Sequence, residues 1–296
     1  MFTLSRLCLA GLCFAYACAL SACAAGSGTD PAVAARPAIS PVDNGRLARG
    51  GTVAVGVTTD LPGWGQLDVG DNSRSGFDIE MMNWLASQVG FKPNYVDVTL
   101  SERETALAGG PEERRVHIVA AAYSMTDSRR KNVTFVGPYM ITRQGIMVRE
   151  GDSRIKTVSD LKGKTVCTGT GTTSLEQLKS SGVDMTIIDE PGLNACAQRL
   201  LDGETIDAVS TDQLILAGMA QTAPERLHVI PDLTFGGQER YGLGLPLGDV
   251  EDCKILTEEL QNFMNKGYWA QFFKLRFPEL DPDEHKPNAF ELDRCA

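Results

Sequence analysis

Cationic charge is scarce in this chain of 296 residues: 28 lysines and arginines stand against 38 aspartates and glutamates, for a net charge of −10. Phosphate contacts need clustered Lys and Arg, so this balance excludes a nucleic-acid binder. It also argues against loose docking on anionic lipid headgroups. Histidine is rarer still, with three copies, His117, His228 and His285, scattered along the chain, and no Cys-x-x-Cys pair occurs. A metal centre built on those ligands therefore has no sequence basis. The glycine-rich stretch Thr168–Thr172 is not closed by Gly-Lys-Ser/Thr, nor is it a GxGxxG followed by an acidic ribose ligand, so no nucleotide cofactor is indicated. No short-period repeat is visible. Beyond the first 23 residues no apolar run nears the roughly 20 residues of a membrane span. What remains is ordinary globular composition, 43% apolar and 22% charged, in a length that suits one large domain or two lobes.

The N-terminus has its own texture. MFTLSR carries one cation, and an apolar run from Leu7 to Leu20 follows, too short for a span and typical of an export signal. It closes on Leu20-Ser21-Ala22-Cys23, which resembles the lipobox of bacterial lipoproteins, whose cysteine is diacylated and becomes the first residue. The competing reading is ordinary cleavage near Ala24 or Ala25. The expectation is a signal peptide over 1–22, lipidation at Cys23, and a flexible Ala/Gly/Ser/Pro-rich tether over 23–49. Two or more acyl chains anchor stably where one does not. Of eight cysteines, four remain past the lipobox: Cys167, Cys196, Cys253 and Cys295. An even number in an exported chain reads as disulfides, with three possible connectivities.

From Gly50 the pattern is that of an α/β protein. Thr52–Val57 reads as a buried strand, followed by turn residues and then a helix in which Phe77, Met81, Leu85 and Val89 share one face. Asp78 and Glu80 suit its first turn and Gly90 its end. A strand at Asn94–Val98, a helix at Arg103–Leu107 and a strand at Val116–Ala122 complete a βαβαβ unit. The alternation then repeats through Ala208–Ser210, Leu214–Ala220 and Leu227–Ile230. Val250–Phe277 reads as helical.

Four stretches carry chemistry. In KTVCTGTGTTSLEQ a strand runs through Thr168-Gly169-Thr170-Gly171-Thr172 into a helix, with Thr173 and Glu176 spaced as a capping box. Unpaired first-turn N–H groups with the dipole behind them make an anion cradle, or simply a well-capped helix. In AAYSMTDSRRK a buried strand ends in Ala122, Ser124 and Thr126 and then Arg129, whose planar fork suits a carboxylate. Arg130 and Lys131 read as solvated. In DAVSTDQLILAG a strand ends at Asp212, either a helix N-cap or a carboxylate held for an ammonium group. In DLPGWGQ, Trp64 sits between two glycines as an exposed aromatic over a ligand, or as packing between loops.

Taken in order, TVAVGVTTDLPGWG, SGFDIEMMNWLA, VAAAYSMTDSRRKNVTFVGPYM, LKGKTVCTGTGTTS, IDAVSTDQLILAG and YGLGLP resemble the family 3 extracellular solute-binding proteins, the amino-acid receptors of bacterial ABC importers. PGWG and STDQLILAG look most like the glutamate-type lipoprotein receptors. The resemblance covers about residues 50–275. It implies a two-lobed type II periplasmic-binding-protein fold with two crossover hinge strands, at 139–143 and 237–241. Lobe one would hold 50–138 and 242–296, and lobe two 144–236. On that map Cys167–Cys196 and Cys253–Cys295 are the expected disulfides, each pair close in sequence and within one lobe. The resemblance implies that Arg129 grips an α-carboxylate beside Thr126, Ser124 and Ala122. It also implies that Thr170, Gly171 and Thr172 complete the cradle, and that Asp212 takes the α-ammonium. The chain departs from the family at Leu61–Gly65, at His117 and at Gly169, which bears on side-chain specificity. For an acidic side chain a further cation is needed, and Arg103 is the candidate, against its pairing with Glu102, Glu104 or a neighbouring helix. Arg143 is a second choice.

The implied function is binding without catalysis, and with no cofactor. Cleft closure would trap a polar α-amino acid, glutamate or aspartate first and glutamine or asparagine next. A permease and its ATPase would be the partners of a monomer held by lipid to the outer face of the cytoplasmic membrane, or in a periplasm. A dehydratase-like enzyme on the same fold would need an acid or base beside the leaving group, and no histidine lies in the cleft stretches. A receptor signalling to a membrane kinase shares the same binding chemistry.

Overall fold

β-Branched runs alternating with amphipathic helices build two halves of one sheet. The computed structural model describes residues 45–109, 115–203 and 205–295. Cys23, the export signal before it and the tether up to residue 44 lie outside the described residues. The folded body begins earlier than the expected boundary at Gly50. Leu47 is buried, and its N–H donates to the Asp252 carboxylate at 3.1 Å.

Strand β1 (Gly51–Val57) leads into a stretch expected as turns, which instead forms a small antiparallel sheet of β2 (Asp60–Leu61), β3 (Gly65–Leu67) and β4 (Arg74–Ser75). Helix α1 (Phe77–Val89) ends at Gly90 in the left-handed region, with φ 92°. Next come β5 (Phe91–Asp97), α2 (Arg103–Leu107) and β6 (Ile118–Val119). The last was expected to run to Ala122, but Ala122 has φ 44° and turns the chain off the ladder. After β7 (Val133–Arg149) follow β8 (Thr165–Gly169), α3 (Thr173–Ser180), β9 (Thr186–Glu190), α4 (Leu193–Leu201), β10 (Ala208–Asp212) and α5 (Gln213–Ala220). Then come β11 (Leu227–Pro246), α6 (Val250–Asn265) and α7 (Tyr268–Arg276). The closing helical stretch is two helices because Gly267, at φ 83°, breaks it.

The sheet order is β5-β1-β6-β11-β7-β10-β8-β9. The strands of each βαβ unit are parallel, whereas β7 and β11 pair antiparallel along nearly their whole lengths. Their ladder runs from Leu227↔Arg149 beside β10 to Pro246↔Val133 beside β6, and Gln238↔Arg143 to Tyr241↔Met140 join the two ends. Two long strands thus cross between two α/β lobes, the type II architecture implied by the resemblance.

An aromatic cluster fills lobe one around Phe77, Tyr139, Phe263, Trp269 and Phe273. Trp64 belongs to it, which corrects its reading as an exposed residue over the ligand. It is fully buried against Phe77, Tyr241 and Phe277, and its Nε1–H donates to the Leu214 carbonyl at 3.3 Å. The flanking glycines allow this burial by close approach. Beneath the same loop, a Cβ at Gly218 would lie 2.0 Å from the Pro62 carbonyl oxygen. Disulfides join Cys167 to Cys196, which ties β8 to α4, and Cys253 to Cys295, which ties α6 to the C-terminal segment. Among the described residues no helix is long and apolar enough to cross a membrane.

Candidate functional site

The cleft floor begins where β6 leaves the sheet. Residues 123–125 run beside the crossover strand β11: Gly242 N–H donates to Tyr123 O at 3.0 Å, and Met125 N–H donates to Arg240 O at 2.8 Å. This fixes Ser124 and the loop that follows. Arg129 then folds back over its own strand end. Its Nη1 donates to Ser124 O at 2.9 Å, and its backbone N–H donates to Thr126 Oγ1 at 3.2 Å. Its Nη2 reaches across the cleft to the Gly171 carbonyl at 3.0 Å.

Arg103 meets the same carbonyl. It is buried at the start of α2, donates through Nε to Leu100 O at 2.8 Å, and through Nη1 to Ala121 O and Ala122 O, both at 3.1 Å. Its Nη2 donates to Gly171 O at 3.2 Å. The alternative pairing with Glu102 or Glu104 is therefore not its arrangement; its donors are spent on carbonyls. Both guanidiniums also lie over the Tyr123 ring, 4.6 and 4.9 Å from its centroid. Burial first, and the neighbouring charge of Arg129 second, lower the Arg103 pKa to about 9, so it is still a cation at neutral pH.

Lobe two supplies the opposite wall. Gly171 turns with φ 73°, and a Cβ there would sit 2.8 Å from Ser101 Cα, so only glycine lets the lobes approach this closely. The helix behind it starts one residue earlier than the spacing of Thr173 and Glu176 implied. Thr172 is the N-cap, with its Oγ1 accepting the Leu175 N–H at 3.1 Å and donating to Gly169 O at 2.7 Å. Thr170 turns towards β9, where its Oγ1 meets Asp189 at 3.2 Å.

Asp212 stands at the N-cap position of α5 but makes no capping bond. Its Oδ2 instead accepts a hydrogen bond from the Tyr241 hydroxyl on the crossover strand. Its Oδ1 is buried with no hydrogen-bond partner among the described residues. Burial, and then repulsion from Glu239, raise its pKa; the Tyr241 bond and the two arginines act the other way. A buried acceptor left in this state costs stability unless a donor arrives.

These groups share a cleft. Arg103, Ala122, Ser124, Thr172 and Asp212 line an inner cavity of about 10 Å³, room for roughly one water. Arg103, Thr126, Arg129 and Gly171 line an adjoining outer cavity of about 340 Å³. Trp64, Thr170 and Arg143 line neither. Sequence reasoning missed Leu100, Leu193 and Ile215, the apolar side of the inner cavity, as well as Tyr241 and Glu239, which set the state of Asp212. Tyr241 falls on the expected crossover and was findable there; the apolar residues look like any helix or strand core. Arg130, read as solvated, pairs with Asp293 of the C-terminal segment.

Comparison with known proteins gives the family and the fold. The family model described as bacterial extracellular solute-binding proteins, family 3, matches residues 53–277. The glutamate-binding protein GluB of Corynebacterium efficiens is 30% identical over 230 residues, covering 75% of this chain and 77% of its own. A glutamine-binding protein of Geobacillus stearothermophilus is 29% identical over 216 residues, 72% of this chain and 79% of its own. Among solved structures, an ancestral arginine-binding protein bound to glutamine is 27% identical, with a TM-score of 0.67 over 77% of this chain and 98% of its own.

Proposed function

We propose that this chain, which belongs to the bacterial extracellular solute-binding proteins of family 3, is a receptor for an acidic α-amino acid, glutamate or aspartate, with glutamine or asparagine next. The family is one of binding proteins rather than enzymes. One observation carries the ligand class: two guanidiniums converge on one carbonyl, across the cleft from one carboxylate with an unpartnered oxygen. That pattern of two cations and one anion complements a ligand with two carboxylates and one ammonium. The relatives named for glutamate and glutamine support the same class.

In this reading Arg129, Thr126 and the first-turn N–H groups beyond Gly171 hold the α-carboxylate, the bidentate fork adding geometric specificity. Asp212 takes the ammonium, with Ser124 and the Ala122 carbonyl beside it. Arg103 takes the side-chain carboxylate. The inner cavity is too small for an amino acid, so the lobes part for entry about the crossover strands, taken as hinges at 139–143 and 237–241. On closure the ligand replaces the Gly171 carbonyl on the arginines. Closure excludes water and strengthens each charge pair, and the ligand favours the closed state only through these added contacts. The closed form then delivers its cargo to an ABC permease and its ATPase, as a monomer held at the outer membrane face, or in a periplasm, by a lipid on Cys23.

The test of the ligand class is Arg103→Gln. It is expected to cost glutamate roughly ten- to hundredfold in affinity and glutamine less than about threefold, measured by calorimetric titration. Equal losses for both would remove Arg103 from the side-chain contact.

A further inference from the structure

Asp78 is a buried acid for which the amino-acid clamp has no use. It is the second residue of α1 and fully buried, and its carboxylate is shared between donors on two other elements. Oδ2 accepts the Ala122 N–H at 2.9 Å, and Oδ1 accepts the Tyr139 hydroxyl at 2.6 Å. Neither partner belongs to its own helix.

Ala122 is where this matters. Among the described residues only Asn72 and Ala122 hold a positive φ without being glycine, and Ala122 sits at 44°. An alanine stays in that strained region only when its surroundings impose it, and the Asp78 bond is attached to its own N–H. The bend turns the carbonyls of Ala121 and Ala122 to the same side, where both accept Arg103 Nη1 at 3.1 Å. The connection therefore runs from the Asp78 carboxylate to the Ala122 amide, through the bent backbone to two carbonyls, and on to the guanidinium. If the bend relaxes, Nη1 loses both acceptors together, and Nη2, which faces the cleft, loses its bearing. The second branch reaches Tyr139, whose own carbonyl is held by Trp269 Nε1 at 2.6 Å, so the acid is tied to a rigid part of lobe one.

We infer that Asp78 is a positioning residue for Arg103 and thereby sets how strongly the cleft prefers a side-chain carboxylate over its amide. This rests on the acidic-ligand reading above. An acid that merely held the lobe together would weaken every ligand alike. An acid that aims Arg103 acts mainly on ligands that need that cation.

The experiment compares calorimetric dissociation constants of L-glutamate and L-glutamine in the wild-type protein, Asp78→Ala and Asp78→Asn. Wild type is expected to prefer glutamate. Asp78→Ala is expected to lose glutamate affinity tenfold or more and glutamine affinity less than threefold, so that the preference collapses. Asparagine keeps one acceptor oxygen for two donors, so Asp78→Asn is expected to narrow the preference by about threefold. If the alanine variant fails to fold, the asparagine variant decides alone. A preference unchanged in either folded variant, or both ligands weakened by one factor, overturns the assignment of Asp78 and leaves the ligand reading standing. A wild-type protein that prefers glutamine, or binds neither ligand, overturns the ligand reading and this assignment with it.

Discussion

Arg129→Ala is expected to weaken the amino-acid ligand by roughly 30- to several-thousandfold, the range that follows from truncating one member of a desolvated, hydrogen-bonded charge pair at about 2–5 kcal/mol. The reason is geometric as much as electrostatic. Like Arg103, Arg129 spans the cleft, with one nitrogen on Ser124 of its own lobe and the other on Gly171 of the opposite lobe. In the proposed mode a carboxylate seated there meets that fork from lobe one and the first-turn N–H groups beyond Gly171 from lobe two. Arg129→Lys is expected to recover little, because an ammonium is a point charge without the paired donors. The free protein should melt within about a degree of wild type, since Arg129 is half-exposed and its intramolecular bonds are to neutral carbonyls rather than to a buried charge. Calorimetric titration beside a thermal melt checks both halves of this expectation.

Asp212→Asn is expected to cost roughly a hundredfold or more in affinity while raising the melting temperature of the free protein. Loss of binding follows from removing the negative partner of a buried ammonium. The gain in stability follows from the raised pKa of the aspartate. Its folded value lies above the ordinary one near 3.9, so between the two the folded chain holds a proton that the unfolded chain has released. Stability therefore falls as pH rises through that window. Asparagine carries no such charge. The variant should melt a few degrees above wild type at pH 7.5, and the gap should close as pH falls towards 4. A variant that bound normally, or melted lower than wild type at pH 7.5, would count against the assignment of Asp212. The usual conflict between a strained binding site and a stable fold would be visible here in a single substitution.

The α/β alternation was readable because periodicity and caps agree locally. The Phe77, Met81, Leu85 and Val89 face with Gly90 behind it defines α1 almost to the residue, and Arg103–Leu107 and Leu214–Ala220 likewise stand where the pattern puts them. The misses have common causes. Trp64 was misplaced because two glycines look like a loop, although their lack of side chains is what lets the ring be buried against α5. Thr173 was taken as the cap because a glutamate follows at the right spacing; in the structure the Thr172 hydroxyl takes the Leu175 N–H and is itself anchored on Gly169 O, so the cap is Thr172. The strand expected to reach Ala122 ends at Val119 because a buried acid more than forty residues earlier holds the backbone in another region, and no local pattern announces that. Arg129, Asp212 and Arg103 were legible in the sequence as candidate residue types, and the structure brings them to adjoining cavities. Their mutual arrangement, two cations on one carbonyl, joins segments far apart in the chain and has no sequence signature.

The most direct test of the central claim is thermal denaturation of the purified protein with each common amino acid in turn. A ligand at one hundred times its dissociation constant stabilises the native state by about 2.7 kcal/mol, which at this size moves the melting temperature by roughly 5–10 °C. The account predicts that shift for glutamate or aspartate, a smaller one for glutamine, and none for lysine or arginine. A shift confined to basic or apolar amino acids, or no shift with any of them, would contradict it.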